Sequence, residues 1–79
     1  MVDVFCSLED LRKKEVINIT TGERIGYIDD LQLDMDGRRI RGYLIYGRRL
    51  LRLIRREEDV LIPCDNVRVY GKDVLLVEL

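Results

Sequence analysis

Short β-branched runs separated by turn residues dominate the chain, and helical spacing is confined to its beginning and to one later stretch. Ser7-Leu8-Glu9-Asp10 reads as a helix start. Ser7 can cap free backbone N–H groups, Asp10 stands three residues on near the capping-box position, and both acids favour the N-terminal dipole. Leu8 and Leu11 share one face of a turn or two that ends near Lys14. Val16-Ile17-Asn18-Ile19 is β-branched and half alternating, which predicts a strand. Thr21-Gly22-Glu23 is a turn, and residues 25–35 read as one long strand. Ile28 and Leu31 have opposite parity there yet both suit a core, and a bulge near Asp29-Asp30 would reconcile them.

Asp36-Gly37, set between two alternating runs, predicts a tight type I′ hairpin, because both central residues of that turn need φ > 0. It would pair Leu33 with Ile40 on one face and Asp34 with Arg39 on the other. Residues 40–46 continue as a central strand that stops at Gly47. Residues 48–59 carry two patterns at once. Leu50, Leu51, Leu53 and Ile54 recur at helical spacing, which allows a short basic amphipathic helix, and they equally fit two short strands around a hairpin with arginines outward. The hairpin is preferred. Val60-Leu61-Ile62-Pro63 is a strand that ends where proline removes a donor. A turn at Asp65 or Asn66 follows, then Val67-Arg68-Val69-Tyr70, and residues 74–79 form a final strand that is apolar on both faces until Glu78. Two-sided apolar character fits a strand held between the core and something else, such as another subunit. About six strands with turns every eight to twelve residues predict a mainly β fold, a small partly open antiparallel β-barrel with a short N-terminal helix or turn.

Composition narrows the chemistry. A chain of 79 residues is read as a single small domain over 1–79, 47% hydrophobic and 37% charged, a balance that argues for a folded protein and against disorder. Such a domain buries only about 60–65% of its unfolded surface, so compactness, sheet closure or oligomerisation must supply its stability. The sequence has no His and no Trp. Histidine-based triads and histidine-ligated metals are therefore excluded. Fourteen basic and fifteen acidic residues leave a net charge of -1, which is not that of a polycation built to hold nucleic acid. The distribution is uneven. Residues 38–56 contain eight arginines (Arg38, Arg39, Arg41, Arg48, Arg49, Arg52, Arg55 and Arg56) and no acid. Asp29, Asp30, Asp34 and Asp36 precede this stretch, and Glu57-Glu58-Asp59 close it. Most of these charges are expected to pair across neighbouring strands, each pair adding about 0.2–1 kcal/mol. The alternative is a basic patch that meets an acidic partner.

Cys6 and Cys64 stand in no metal-type or redox spacing, the N-terminus lacks an apolar signal core, and the apolar run at 74–77 is far too short to cross a bilayer. A cytoplasmic protein with reduced, mostly buried thiols is expected. Enzymatic chemistry finds little support. Asp29, Asp30 and Asp34 are near one another in sequence only, and the calcium-loop likeness of Asp34-Met35-Asp36-Gly37 lacks the remaining ligands. Cys64 has no histidine to act as base, and residues 22–26 are too short for a phosphate cradle. No cofactor or metal is expected.

The order and spacing of several segments resemble a known family. They are Leu11-Arg12-Lys13-Lys14-Glu15-Val16-Ile17-Asn18-Ile19, Gly22-Glu23-Arg24-Ile25-Gly26 with Ile28-Asp29-Asp30-Leu31, Asp34, and Asp36-Gly37. Arg56-Glu57-Glu58-Asp59-Val60-Leu61-Ile62-Pro63 and residues 66–77 complete the set. Together they resemble the PRC-barrel domain, in the short stand-alone, sporulation-associated form of the YlmC/YmxH type. The resemblance implies a partly open six-stranded barrel that acts as a docking module for proteins, with no catalytic residues. Two departures stand out: Cys64 replaces the Trp usual after the proline, and residues 48–56 are unusually rich in arginine.

The expected function is therefore a non-catalytic, self-associating adaptor that binds another protein. The candidate partner contact is Arg48, Arg49, Leu51, Arg52, Leu53, Ile54, Arg55 and Cys64, with Val74 and Leu76 as candidate dimer contact. The alternative is an RNA- or ribosome-associated factor that uses the arginines of 38–56 with Tyr43 and Tyr46. A basic helix at 48–56 lying on an anionic membrane is a third, weaker reading.

Overall fold

Ser7 keeps an extended backbone while its Oγ accepts the Asp10 N–H at 3.1 Å, which starts helix α1 (Leu8–Arg12) as the sequence predicts. The computed structural model describes residues 6–47, 49–50, 55–56 and 58–79, the two short pieces in their backbone pairing alone. Of the two leucines expected on one helix face, Leu11 is buried and Leu8 stays exposed. The helix ends at Lys13, and the Lys14 ammonium donates to the carbonyls of Gly71 at 2.6 Å and Lys72 at 2.8 Å. That double contact ties the start of the first strand to a turn nearly sixty residues away in sequence.

Nine strands follow among the described residues: β1 (Glu15–Asn18), β2 (Arg24–Tyr27), β3 (Asp30–Asp34), β4 (Arg39–Ile45), β5 (Arg49–Leu50), β6 (Arg55–Arg56), β7 (Val60–Pro63), β8 (Val67–Tyr70) and β9 (Val74–Val77). One sheet has the order β2-β1-β9-β8, a second has β3-β4-β7, and β5 pairs with β6. All pairings are antiparallel except that of β1 with β9, which runs parallel in the register Glu15↔Val74 to Asn18↔Val77. The fold is thus mainly β as expected, but not wholly antiparallel. Ile17 brings β1 beside the last strand of the chain, a long-range pairing that no local pattern discloses. Leu11, Val16, Ile28, Tyr43, Ile45, Ile62, Leu75 and Val77 form one core to which both larger sheets contribute. Among the described residues no ladder joins those sheets into a closed barrel.

Two local expectations change, and a third is met. The strand expected over 25–35 is two strands in different sheets, β2 and β3, with the corner at Ile28-Asp29. Ile28 is fully buried at this corner, and the Asp29 N–H donates to Leu44 O at 2.8 Å. A change of sheet, not a bulge, reconciles the parity of Ile28 and Leu31. The pairs Leu33↔Ile40 and Asp34↔Arg39 form as expected, but the connection between β3 and β4 is a four-residue loop. Its left-handed residue is Arg38 (φ 53°), so it is not a type I′ turn. Gly37 serves space there: a Cβ would stand 2.6 Å from Asp34 Oδ2, the carboxylate whose Oδ1 accepts the N–H groups of Asp36 and Gly37. Finally, Arg49↔Arg56 and Leu50↔Arg55 pair antiparallel, which makes a hairpin ladder of this part of the arginine-rich stretch.

Candidate functional site

Of the expected partner contacts, Arg49 and Arg55 take part in the β5–β6 ladder, and Cys64 lies in the 3-10 turn Cys64–Asn66. Arg48, Leu51, Arg52, Leu53 and Ile54 fall outside the described residues. The acids on either side of the arginine-rich stretch converge at the base of its hairpin. Asp29 Oδ2 accepts the Tyr46 N–H at 2.8 Å, Asp59 Oδ1 accepts the Gly47 N–H at 2.7 Å, and the Tyr46 hydroxyl donates to Asp30 Oδ2. The Tyr46 hydroxyl and the Leu31 N–H hold the Asp30 carboxyl below the usual carboxylate range, and Asp30 in turn raises the Tyr46 phenol. Sequence reasoning treats these acids as ordinary surface charges. Their role is more specific: Asp29 and Asp59 hold the backbone N–H groups where the chain leaves β4, Asp59 doing so from the residue just before β7, and Asp30 holds the Tyr46 hydroxyl. The flanking order acid–arginine–acid is the signal that could have indicated it.

Asp34, the third acid considered for catalysis, sits at the far end of β3, about 13 Å from Asp30 at strand rise, and is occupied by its own loop and by Arg39 at 4.0 Å. The three aspartates therefore do not converge. Among the described residues there is no group of three or more His, Cys, Asp or Glu side chains able to hold a metal. Cys64 Sγ donates to Ile40 O at 3.4 Å and packs against the core.

The feature that sequence reasoning missed is an open groove of about 560 Å³ beside Cys64, along the distal ends of β3 and β4. Leu33, Met35 and Ile40 give it an apolar lining, to which Arg39, Arg41 and Gln32 add polar groups. Met35 is 79% exposed, unusual for a side chain of that size. Gln32 Oε1 is buried without a hydrogen-bond partner. Alternation along β3 hinted at these residues, but only the turn geometry gathers them on one side. A second contact lies between the sheets: Tyr43 of β4 and Tyr70 of β8 share a hydrogen bond between their hydroxyls at 3.1 Å. Burial, reinforced by Tyr70, pushes the Tyr43 phenol well above its ordinary range.

Val74 and Leu76, the expected dimer contacts, alternate with the fully buried Leu75 and Val77. They occupy the outer face of the four-stranded sheet and are half-buried there.

Comparison with known proteins agrees with this architecture. A family model for the PRC-barrel domain matches residues 4–79. The chain belongs to the PRC-barrel family. Among PRC-barrel relatives, it is 30% identical over 74 residues to the probable sporulation protein YlmC of Bacillus subtilis, covering 92% of this chain and 91% of that one. It is 28% identical over 71 residues to an uncharacterised protein of Clostridium acetobutylicum, covering 90% of this chain and 82% of that one. Neither is named for an enzymatic activity. PRC-barrel domains mediate protein interactions, and no helix among the described residues is long and apolar enough to cross a membrane.

Proposed function

We propose that this PRC-barrel chain is a non-catalytic, self-associating adaptor of the cytoplasm, a single domain that docks another protein, with a part in sporulation like that named for its Bacillus relative. The observation that carries this reading is how the polar groups are used. Asp29, Asp34, Asp59 and Asn18 hold backbone N–H groups, while apolar Leu33, Met35 and Ile40 stand exposed around a groove. Acids engaged in this way hold loops and carry no chemistry, whereas exposed apolar side chains rimmed by charge suit a protein partner. The arginines steer and orient an acidic partner more than they add affinity.

Affinity capture of the tagged chain from its own cells, with and without nuclease, tests the reading. A discrete protein recovered in both conditions is expected. Arg39→Glu combined with Arg41→Glu, both lining the groove, should abolish that capture and leave the thermal midpoint nearly unchanged; a large stability loss would instead make these arginines structural. The acids gathered at the hairpin base disfavour a phosphate backbone. If the partner were RNA or the ribosome, capture would require intact RNA, and binding would fall by orders of magnitude between low and moderate salt.

A further inference from the structure

The register of the four-stranded sheet sets Arg24, Ile17, Leu76 and Val69 in one row across β2, β1, β9 and β8. Val16, Leu75 and Val77 take the core side of these strands, so this row faces the other way. Ile17, Leu76 and the neighbouring Val74 are half-buried, and Val69 is 46% exposed. An apolar centre thus crosses three strands. Its border is not uniform. Arg24 Nε stands 3.7 Å from Glu15 Oε1 at the corner where β2 and β1 meet, and Arg68 Nε stands 2.7 Å from Glu78 Oε2 at the opposite corner, beside β8 and the end of β9.

Among the described residues the two corner pairs give this face two cations and two anions, a balance that suits neither a polyanion nor a strongly acidic protein. Its charges are arranged to complement themselves. A two-fold axis laid along the other diagonal of the sheet places the Arg24–Glu15 corner of one copy over the Glu78–Arg68 corner of the next. Arg24 then meets Glu78 of the partner subunit, and Glu15 meets Arg68 of the partner subunit. Strands of the two copies cross near a right angle, one of the two ordinary packings of sheet on sheet, and the apolar centres meet. The same patch serves on both sides, as a closed two-fold dimer requires. We infer that the outer face of the four-stranded sheet is covered by a second copy of this chain, with Ile17, Val69, Val74 and Leu76 at the centre and exchanged ion pairs at two corners. The inference rests on the adaptor reading and gives its self-association a surface. That surface adjoins the Cys64 groove only at the Arg68 corner, where Arg68 Nη1 donates to Asp65 O at 2.6 Å, and the apolar groove residues Leu33, Met35 and Ile40 lie outside it.

Sedimentation equilibrium of the full chain over a range of concentrations tests it. The wild type should be dimeric, and Leu76→Lys and the more exposed Val69→Lys should be monomeric with unchanged circular dichroism. R24E alone, which touches two symmetric contacts, should weaken the dimer about tenfold. The R24E/E78R double variant should regain most of that affinity although it breaks both ion pairs within the chain. A purely intramolecular role for these pairs predicts the reverse. A wild type that stays monomeric, a dimer indifferent to both Val69→Lys and Leu76→Lys, or a double variant weaker than R24E would overturn the inference. Failure here with intact capture of a partner would leave the adaptor reading standing, and a dimer with no captured partner would do the opposite.

Discussion

Gly42 lies in the middle of β4 between Gln32 and Pro63, where a Cβ would stand 2.6 Å from Ile62 O and 3.1 Å from Leu61 Cδ1. The first obstacle is backbone in a paired strand, which cannot swing aside. Gly42→Ala should therefore cost about 1–3 kcal/mol, and, at about 4–8 °C per kcal/mol in a domain of this size, a thermal melt reads that plainly. Arg38 presents the contrary case, a non-glycine side chain at φ 53°. Replacing it by glycine relieves about 1 kcal/mol of left-handed strain and gives up a similar amount in chain entropy. The midpoint of Arg38→Gly should stay close to that of the wild type. A large drop would show that the guanidinium itself holds the loop. In sequence Gly42 looks like ordinary punctuation, because a glycine kept for close approach and one kept for its φ read alike, and nothing there marks Arg38 as the left-handed residue.

Among the elements, the junction of α1 and β1 is held to the turn before β9 by the Glu15 N–H, which donates to Asp73 O at 3.0 Å, and by the Lys14 side chain. Lys14 reaches the carbonyls of Gly71 and Lys72 and so clamps the start of β1 to the turn before β9, next to the parallel pair Glu15↔Val74. Lys14→Met keeps the apolar stem and removes both charged hydrogen bonds, and a loss of about 2 kcal/mol in urea unfolding is expected. The same substitution should leave partner capture intact, since Lys14 stands apart from the groove. The strands themselves are largely legible in the chain: β1, β4, β7, β8 and β9 fall within a residue or two of their expected places. The break between β2 and β3 is not, since it arises from burial of Ile28 at a corner between two sheets.

At the level of the whole molecule, the hydrogen bond between Tyr43 and Tyr70 bridges the two sheets, and it makes stability depend on alkaline pH. The folded state holds Tyr43 protonated well above the value of about 10 for a free phenol, so the unfolded chain releases its proton first. The contribution is complete below that value and declines above it, by up to about 1.4 kcal/mol per pH unit. Tyr46, raised by Asp30, adds to the same limb. Tyr43→Phe should be less stable than the wild type at neutral pH and lose less between pH of about 9 and 11, as measured by urea unfolding. Asp30 acts at the other end. Its lowered carboxyl gives stability above the free carboxylate value that fades in acid, and Asp30→Asn should flatten that limb.

Periodicity and turn chemistry in the sequence determine the mainly β class, the Ser7 cap, the register of Leu33 with Ile40 and the hairpin that begins the arginine-rich stretch, because each depends on neighbours a few residues apart. The arginine-rich stretch of residues 38–56 and its acidic borders are equally plain in the sequence. Tertiary structure alone decides the parallel partner of β1, the gathering of Asp29, Asp30 and Asp59 around Tyr46 and Gly47, the groove beside Cys64, and the two opposed ion pairs on the outer sheet face. All of these join residues far apart in the chain, and their geometry follows from how two sheets divide one core. Alternation says that a strand has two faces. It does not say which neighbours share them.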